Sequence, residues 1–468
     1  MIPEESRVFS PVSASDADLV TMTGVTSAVS QTQWCSHDGS VSKPPVCEHL
    51  QVATDEPLAF HRWYTGTGMD CELLCPACVE ARADGKQVEI KHLCDSCVSS
   101  GVDAWGEEGG HLGKPEVIHR PEAVDARLTA TELGLDSIGD VALARDIPNT
   151  TFVLTNEGQI IRVNHTDNSA ISQGTVPIAA TNTPNGTKRP VRKPKLHLSP
   201  DARFAAVVTD FGQAGSVIDL EAQKVTMRLE GDENHIDSVP FSLAFSSYRG
   251  ETVIVHRTNW NRLDVSNPAD GTLMTEREVP PFVEGEDAFK RLDYFHGALF
   301  LSPDGNSLLN DGWNWEPAGR PVVWSLLTWL RDNVWESEGG ETKRTIPHQN
   351  HFWNQGFCWI DNRHIAVEGI GHPDDEMING VRIFDITQSD IDPELAREVN
   401  VFAGPSGRLF ADGDKLFSAD EQGLAIWSIS AGALTGRISS FSPIAHSVLD
   451  GTLLDIKGGA IRRWHYRS

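Results

Sequence analysis

Seven of the eight cysteines fall between Cys35 and Cys97, and four of them form two Cys-x-x-Cys pairs, Cys75/Cys78 and Cys94/Cys97, with fifteen residues between. Zn²⁺ takes four thiolate or imidazole ligands tetrahedrally and has no ligand-field preference, so two such turns joined by a short hairpin satisfy it. The spacer supplies that hairpin: Asp84-Gly85-Lys86 is a turn, and residues 88–93 alternate as a returning strand. The expected site is therefore a structural Zn²⁺ held by Cys75, Cys78, Cys94 and Cys97. Clustered cysteines in a chain of this size bind metal more often than they pair as disulfides when the compartment is reducing, and the expected location is the cytoplasm.

Spacing of this kind resembles a zinc ribbon or treble-clef knuckle. Upstream lie two Cys-x-His pairs, Cys35/His37 and Cys47/His49, which with His61, His92 and Cys71 would supply ligands for a second zinc. A module with both sites would resemble a cross-braced RING-like finger, which implies holding a partner enzyme during ubiquitin-type transfer. Cys71-x-x-x-Cys75-x-x-Cys78 resembles the iron–sulfur motif of radical SAM enzymes, but those need a βα barrel after the motif and this chain continues as short strands. Cys-Pro-Ala-Cys lacks the βαβ surroundings of a thioredoxin-like redox site.

With 39 Lys+Arg against 66 Asp+Glu the 468-residue chain carries a formal charge of −27. That charge repels phosphate backbones and anionic lipid, so nucleic acid is not an expected partner. Residues 1–33 are rich in Ser, Thr, Asp and Val and read as a disordered leader without a basic start or an apolar core. No run of eighteen apolar residues offers a membrane span. Three parts are expected: the leader, a Cys/His module over 34–110, and a large domain over 120–468.

The large domain repeats one unit: an apolar strand, a turn, a second strand, another turn, and a third strand ending in an aromatic residue or Asp. Third strands are expected at 160–163, 216–220, 261–265, 321–325, 381–386, 424–429 and 461–466. Leu198-Ser199-Pro200-Asp201 and Leu301-Ser302-Pro303-Asp304-Gly305 precede second strands at 204–208 and 307–310 in the same phase. Pro presets φ and Asp or Gly supports the tight return.

These segments resemble WD40 repeats, in which an SPDG turn joins the first two strands of a blade. Here Ile218-Asp219, Phe384-Asp385, Trp324-Ser325, Trp427-Ser428 and Trp464-His465 stand where that family has Trp-Asp. The resemblance implies a mainly β fold, a seven-bladed β-propeller. Four residues follow Trp464, too few for another strand, whereas 124–133 alternates as a strand without a blade of its own. It is expected to pair with 461–466 and close the ring.

Two further stretches stand out. Trp313, Trp315, Trp324, Trp329 and Trp335 fall within 23 residues; such a cluster either packs the layers of one blade or presents an aromatic face to a partner. His348-Gln349-Asn350-His351-Phe352-Trp353 either lines a pocket or fills a loop. His372-Pro373-Asp374-Asp375-Glu376 resembles the zinc motif of LmbE-like N-acetylglucosamine deacetylases, where a His and one Asp hold zinc and the other Asp is general base. Here the motif runs directly into a strand, as a hairpin loop would, rather than into a helix.

No Gly-rich phosphate loop, nucleophile elbow or His-Glu-x-x-His accompanies it. The function expected is a non-enzymatic scaffold that binds protein partners. The alternatives are a metal-dependent hydrolase using the HPDDE loop and a RING-like ligase adaptor.

Overall fold

The computed structural model describes residues 45–51, 59–64, 71–93, 97–98, 101–102, 106–112, 117–119, 127–132 and, apart from 133, 135–136, 179–191, 233, 236, 279–292, 316, 348, 351–352, 372–376, 389–392 and 468, the chain from 134 onward. It is mainly β. The N-terminal part is a five-stranded sheet in the order Ile90–Lys91, Val46–Cys47, Cys71–Leu74, Ala59–Tyr64 and Gly106–Leu112. Its core is small: Val46, Leu50, Phe60, Leu73 and Leu74 are buried together with Cys47, Cys75 and Cys78. So thin an apolar core stabilises a fold weakly by itself.

Seven sheets follow in chain order. The first holds Ile138–Ala142, Thr150–Thr155, Gln159–Asn164 and Ser169–Thr175; the second holds Lys193–Leu198, Phe204–Asp210, Ala214–Asp219 and Lys224–Glu230. Leu243–Tyr248, Glu251–Asn259 and Arg262–Ser266 make the third. The fourth is built on Phe295–Leu301, Ser307–Asn314 and Val322–Ser325, with three two-residue strands added. The fifth holds Phe357–Trp359, His364–Ile370, Ile378–Asp385 and Arg397–Ala403, and the sixth Arg408–Asp412, Lys415–Asp420, Gly423–Ser428 and Ala433–Ile438, with Ile118–His119 from upstream added parallel to the last. In the seventh, Ala445–Ser447, Thr452–Lys457 and Ala460–His465 are joined by Leu128–Glu132 from far upstream, paired antiparallel from Trp464↔Leu128 to Ala460↔Glu132.

Side chains on a strand alternate between the two faces of its sheet, and here both faces are covered. Phe152 and Leu154 pack on the second sheet, in one cluster with Leu196, Ala205 and Val207, whereas Val153 between them packs on the seventh with Leu454 and Ile461. Phe204, Ala206 and Val208 likewise meet Phe241, Leu243 and Ile254 of the third. Every consecutive pair of sheets shares such a cluster, and the first shares one with the last. Double coverage explains why middle strands such as Phe204–Asp210 read as unbroken apolar runs rather than alternating ones. Each fully buried Leu, Val or Phe contributes roughly 1.5–3 kcal/mol.

The two Ser-Pro-Asp turns are built alike. Ser199 Oγ accepts the Phe204 N–H at 2.9 Å and donates to Asp201 Oδ1 at 2.6 Å; Ser302 Oγ accepts the Ser307 N–H at 2.9 Å and donates to Asp304 Oδ1 at 2.6 Å. In the fourth sheet the chain departs from the plain repeat after Val322–Ser325. Ser325 caps the helix Leu326–Arg331, its side chain accepting the Thr328 N–H at 3.1 Å, and Glu336–Gly339 forms a second short helix. Trp324 and Trp329 are fully buried here, so this half of the tryptophan cluster is core. No helix among the described residues is long and apolar enough to cross a membrane.

Candidate metal centre

Val46–Cys47 lies inside the N-terminal sheet, parallel to Leu73 on one side and antiparallel to Ile90–Lys91 on the other. Past Cys47 the chain turns through a short 3-10 helix, Glu48–Gln51, that places His49 beside the sheet end. Cys71–Leu74 runs alongside and ends at Cys75, the N-cap of the helix Pro76–Ala83, with Pro76 in its first turn and Cys78 within that turn. Pro fits there because its missing N–H would have had no partner. Arg82 of this helix donates to both carboxylate oxygens of Glu72, at 2.8 and 3.0 Å, and fixes the helix to its strand.

Those constraints bring Cys47, His49, Cys75 and Cys78 together, with one donor atom from each lying within 4.8 Å of the others. His49 Nδ1 is 3.1 Å from Cys78 Sγ, and the Cys75 N–H donates to Cys47 Sγ at 3.3 Å. Four ligands around zinc at about 2.3 Å from sulfur stand roughly 3.7 Å apart, which this group satisfies with little movement. The three sulfurs are buried and His49 is exposed. Burial pushes the Cys47 thiol up, reinforced by the neighbouring charge of Cys75 and offset in part by the Cys75 N–H. Burial also pushes Cys78 up, with the Cys47 charge adding to it. Three thiolates crowded in an apolar site are unstable without a cation, and a divalent ion reverses that balance. Donor types, spacing and burial all fit a Cys₃His metal site.

The structure therefore joins one Cys-x-x-Cys pair to one Cys-x-His pair, half of each site read from the sequence. Cys97 is not one of the four, and Cys94, Cys35 and His37 lie outside the described residues. Cys71 is buried and stands opposite Tyr64 in the sheet, also apart from the group. In chain order the four pairs are Cys35/His37, Cys47/His49, Cys75/Cys78 and Cys94/Cys97. A cross-braced finger joins the first to the third and the second to the fourth, whereas here the second meets the third. Sequence spacing missed this because parallel pairing of Val46 with Leu73, a tertiary contact across 27 residues of sequence separation, decides which pairs meet.

The HPDDE residues, His372 to Glu376, lie outside the described residues; they fall between the paired strands His364–Ile370 and Ile378–Asp385. His348 and His351 are outside them too, while Trp353 stacks on Trp313 with centroids 5.2 Å apart.

No family model matches the sequence, and no curated protein matches it. Among solved structures, the chain is similar to the β-propeller domain of Cps50 (Swd1) from Myceliophteria thermophila, at 12% identity over 72% of this chain and 99% of that one, with a TM-score of 0.45. The WD40 repeats of RRP9 align at 12% identity over 75% and 99%, also with a TM-score of 0.45. A chain of the mitotic checkpoint complex aligns at 14% identity over 74% and 96%, again at 0.45.

Proposed function

We propose that the chain is a non-enzymatic scaffold for protein partners, built from a seven-bladed, WD40-like β-propeller closed by the pairing of 124–133 with 461–466, and a small N-terminal module stapled by structural Zn²⁺. The observation that carries the propeller is the run of clusters shared by each sheet with the next and by the last with the first. Blades whose faces are spent on one another leave the connectors at the strand ends as the surface for partners. The −27 charge favours protein partners over nucleic acid or anionic lipid. Thiols that must stay reduced to hold zinc suit the cytoplasm.

For the module, the reading is one zinc on Cys47, His49, Cys75 and Cys78. Metal analysis of the full chain purified without added metal is expected to give one zinc per chain, lost on Cys47→Ser or Cys78→Ser and kept on Cys97→Ser. Zinc that follows Cys97 instead would overturn this ligand set. For the scaffold, cross-linking with mass spectrometry in native extract is expected to give reproducible protein partners attached through connector residues. Hydrolysis of an N-acetylglucosamine substrate that disappears on His372→Ala, with no reproducible cross-links, would replace the scaffold with the hydrolase.

A further inference from the structure

Six rings converge where the connectors of the third, fourth and fifth sheets meet. Phe295, which opens its strand, lies opposite Trp313, which nears the end of the next, so both stand at one end of the fourth sheet. Trp313 is the middle of a stack, with Phe295 on one side at 4.3 Å and 12° and Trp353 on the other at 5.2 Å and 15°. Trp260, from the turn between Glu251–Asn259 and Arg262–Ser266, leans on Phe295 at 4.6 Å.

One residue ties the loops beneath this stack. Ser238 Oγ accepts Trp313 Nε1–H at 3.0 Å, and the Ser238 carbonyl accepts Trp353 Nε1–H at 3.1 Å and the Asn354 amide at 2.8 Å. Both indole donors are thus used internally. On this base stands Trp315, 52% exposed. His235, Phe295 and Trp313 meet it near-perpendicularly, with centroids at 4.6, 5.2 and 5.5 Å. His235 is itself exposed and meets Phe295 and Trp313 edge-on as well.

An exposed tryptophan held by three rings loses little freedom when a partner covers it, which is the property of an interface anchor. The loops around it are acidic, and of the arginines that border them, Arg257, Arg262 and Arg320, Arg262 is held by Asp264 at 2.8 Å. Segments 229–241, 258–261, 293–297, 310–319 and 346–356, which carry these rings, contain no Lys or Arg. Glu230 and Asp232 are exposed on the loop that carries His235, and Asp237 is half-buried there. Arg257, next to the second of these segments, is 2% exposed and donates to the Gly212 carbonyl at 2.9 Å.

We infer that Trp315 and His235 form a docking surface for an extended segment of a partner protein that carries Lys or Arg side chains. A guanidinium or ammonium over the free area of Trp315 gains a cation–π contact, and the acidic loop draws it there. This names the class of partner for the scaffold and rests on that reading.

The test uses the full chain and a labelled, end-blocked ten-residue peptide of alternating Arg and Gly, followed by fluorescence anisotropy in 150 mM NaCl. A peptide with Glu for Arg is the charge control. Saturable binding of the Arg peptide is expected, weakened about tenfold or more by Trp315→Ala, the loss typical of an anchor residue. It should be largely retained by Trp315→Phe and unchanged by Leu449→Ala, another exposed apolar side chain. Melting curves of the variants report that each is folded. Absence of binding, equal binding by Trp315→Ala, or equal binding of the Glu peptide would each overturn the proposal. None of these touches the scaffold itself, which stands or falls on the cross-linked partners.

Discussion

Ala202 and Gly305 occupy the same place in two turns of one build, at φ of +55° and +75°. The left-handed region costs a residue with a Cβ about 1 kcal/mol or more and costs glycine almost nothing. Gly305 follows Ser302-Pro303-Asp304, and Ala202 follows Ser199-Pro200-Asp201, so the Ala202 turn carries strain that the Gly305 turn lacks. Ala202→Gly is expected to raise stability by about 0.5–1 kcal/mol, less the entropy that glycine adds to the unfolded chain. Differential scanning calorimetry would register this as an upward shift of the melting temperature; a downward shift would show that the two turns are not equivalent.

Glu368, within His364–Ile370, uses its two carboxylate oxygens on two different connectors. Oε2 accepts the Gly356 N–H at 2.8 Å and Oε1 accepts the Gly407 N–H at 2.6 Å. Those glycines open the fifth and sixth sheets, and a Cβ on Gly356 would come within 2.1 Å of the Gly407 carbonyl oxygen. The close approach needs glycine and the carboxylate holds it. Hydrogen bonds to a charged acceptor are worth about 1.5–3 kcal/mol each. Glu368→Ala is expected to cost about 3 kcal/mol in urea unfolding, and Glu368→Gln about half as much because one carbonyl acceptor remains.

The periodic part of the fold was legible. All seven expected third strands, from 160–163 to 461–466, overlap strands that lie third in their sheets, because apolar runs ending in turn residues are local signals. The Ser-Pro-Asp turns were legible for the same reason. What was not legible was set by contacts between distant segments. Cys78 meets His49 because Val46 lies beside Leu73. The tryptophan cluster divided for a similar reason: Trp324 and Trp329 face the third sheet's side chains, whereas Trp315 follows the strand that ends at Asn314 and is half exposed. Spacing among tryptophans does not reveal which side of a strand's end each one falls on.

Acid should loosen the seam between the first and seventh sheets. His165 Nε2 is 2.8 Å from Thr151 Oγ1 in the first sheet, and its Nδ1 is 3.5 Å from Thr131 Oγ1 on the strand paired into the seventh. Burial pushes the His165 imidazole down to about 4, with the charges of Arg463 and His465 acting in the same direction. The unfolded chain takes up that proton near 6.5 and the folded chain only near 4, so the contribution is whole above pH 6.5 and is lost as pH falls toward 4. Asp311, pushed up to about 8 by burial, works in the opposite sense over the same range. The comparison is therefore between the chain and His165→Gln: melting temperatures taken from pH 7 to 4.5 should fall less in the variant. Parallel curves would show that His165 does not titrate in the unfolding transition.

Leu128–Glu132 supplies the outermost strand of the seventh sheet, 328 or more residues away from its partner in sequence, as the pair Ala460↔Glu132 marks. Leu128 also packs on the cluster that holds Phe417, Phe441, Leu453 and Trp464 between the sixth and seventh sheets. Removing the strand would therefore expose the backbone edge of Ala460–His465 and uncover part of a core shared by two sheets. An open edge pairs with other chains, so the loss should appear as association as well as reduced stability. A chain beginning at residue 135 is expected to melt several degrees below one beginning at residue 121, which like it lacks the Ile118–His119 strand paired with Ala433–Leu434, and to elute as larger species in size-exclusion chromatography. Both lack the N-terminal module, so the difference belongs to the strand. Equal melting and equal elution would mean that the sheets hold together without it, and that the fold ends at the pairing of Thr452–Lys457 with Ala460–His465.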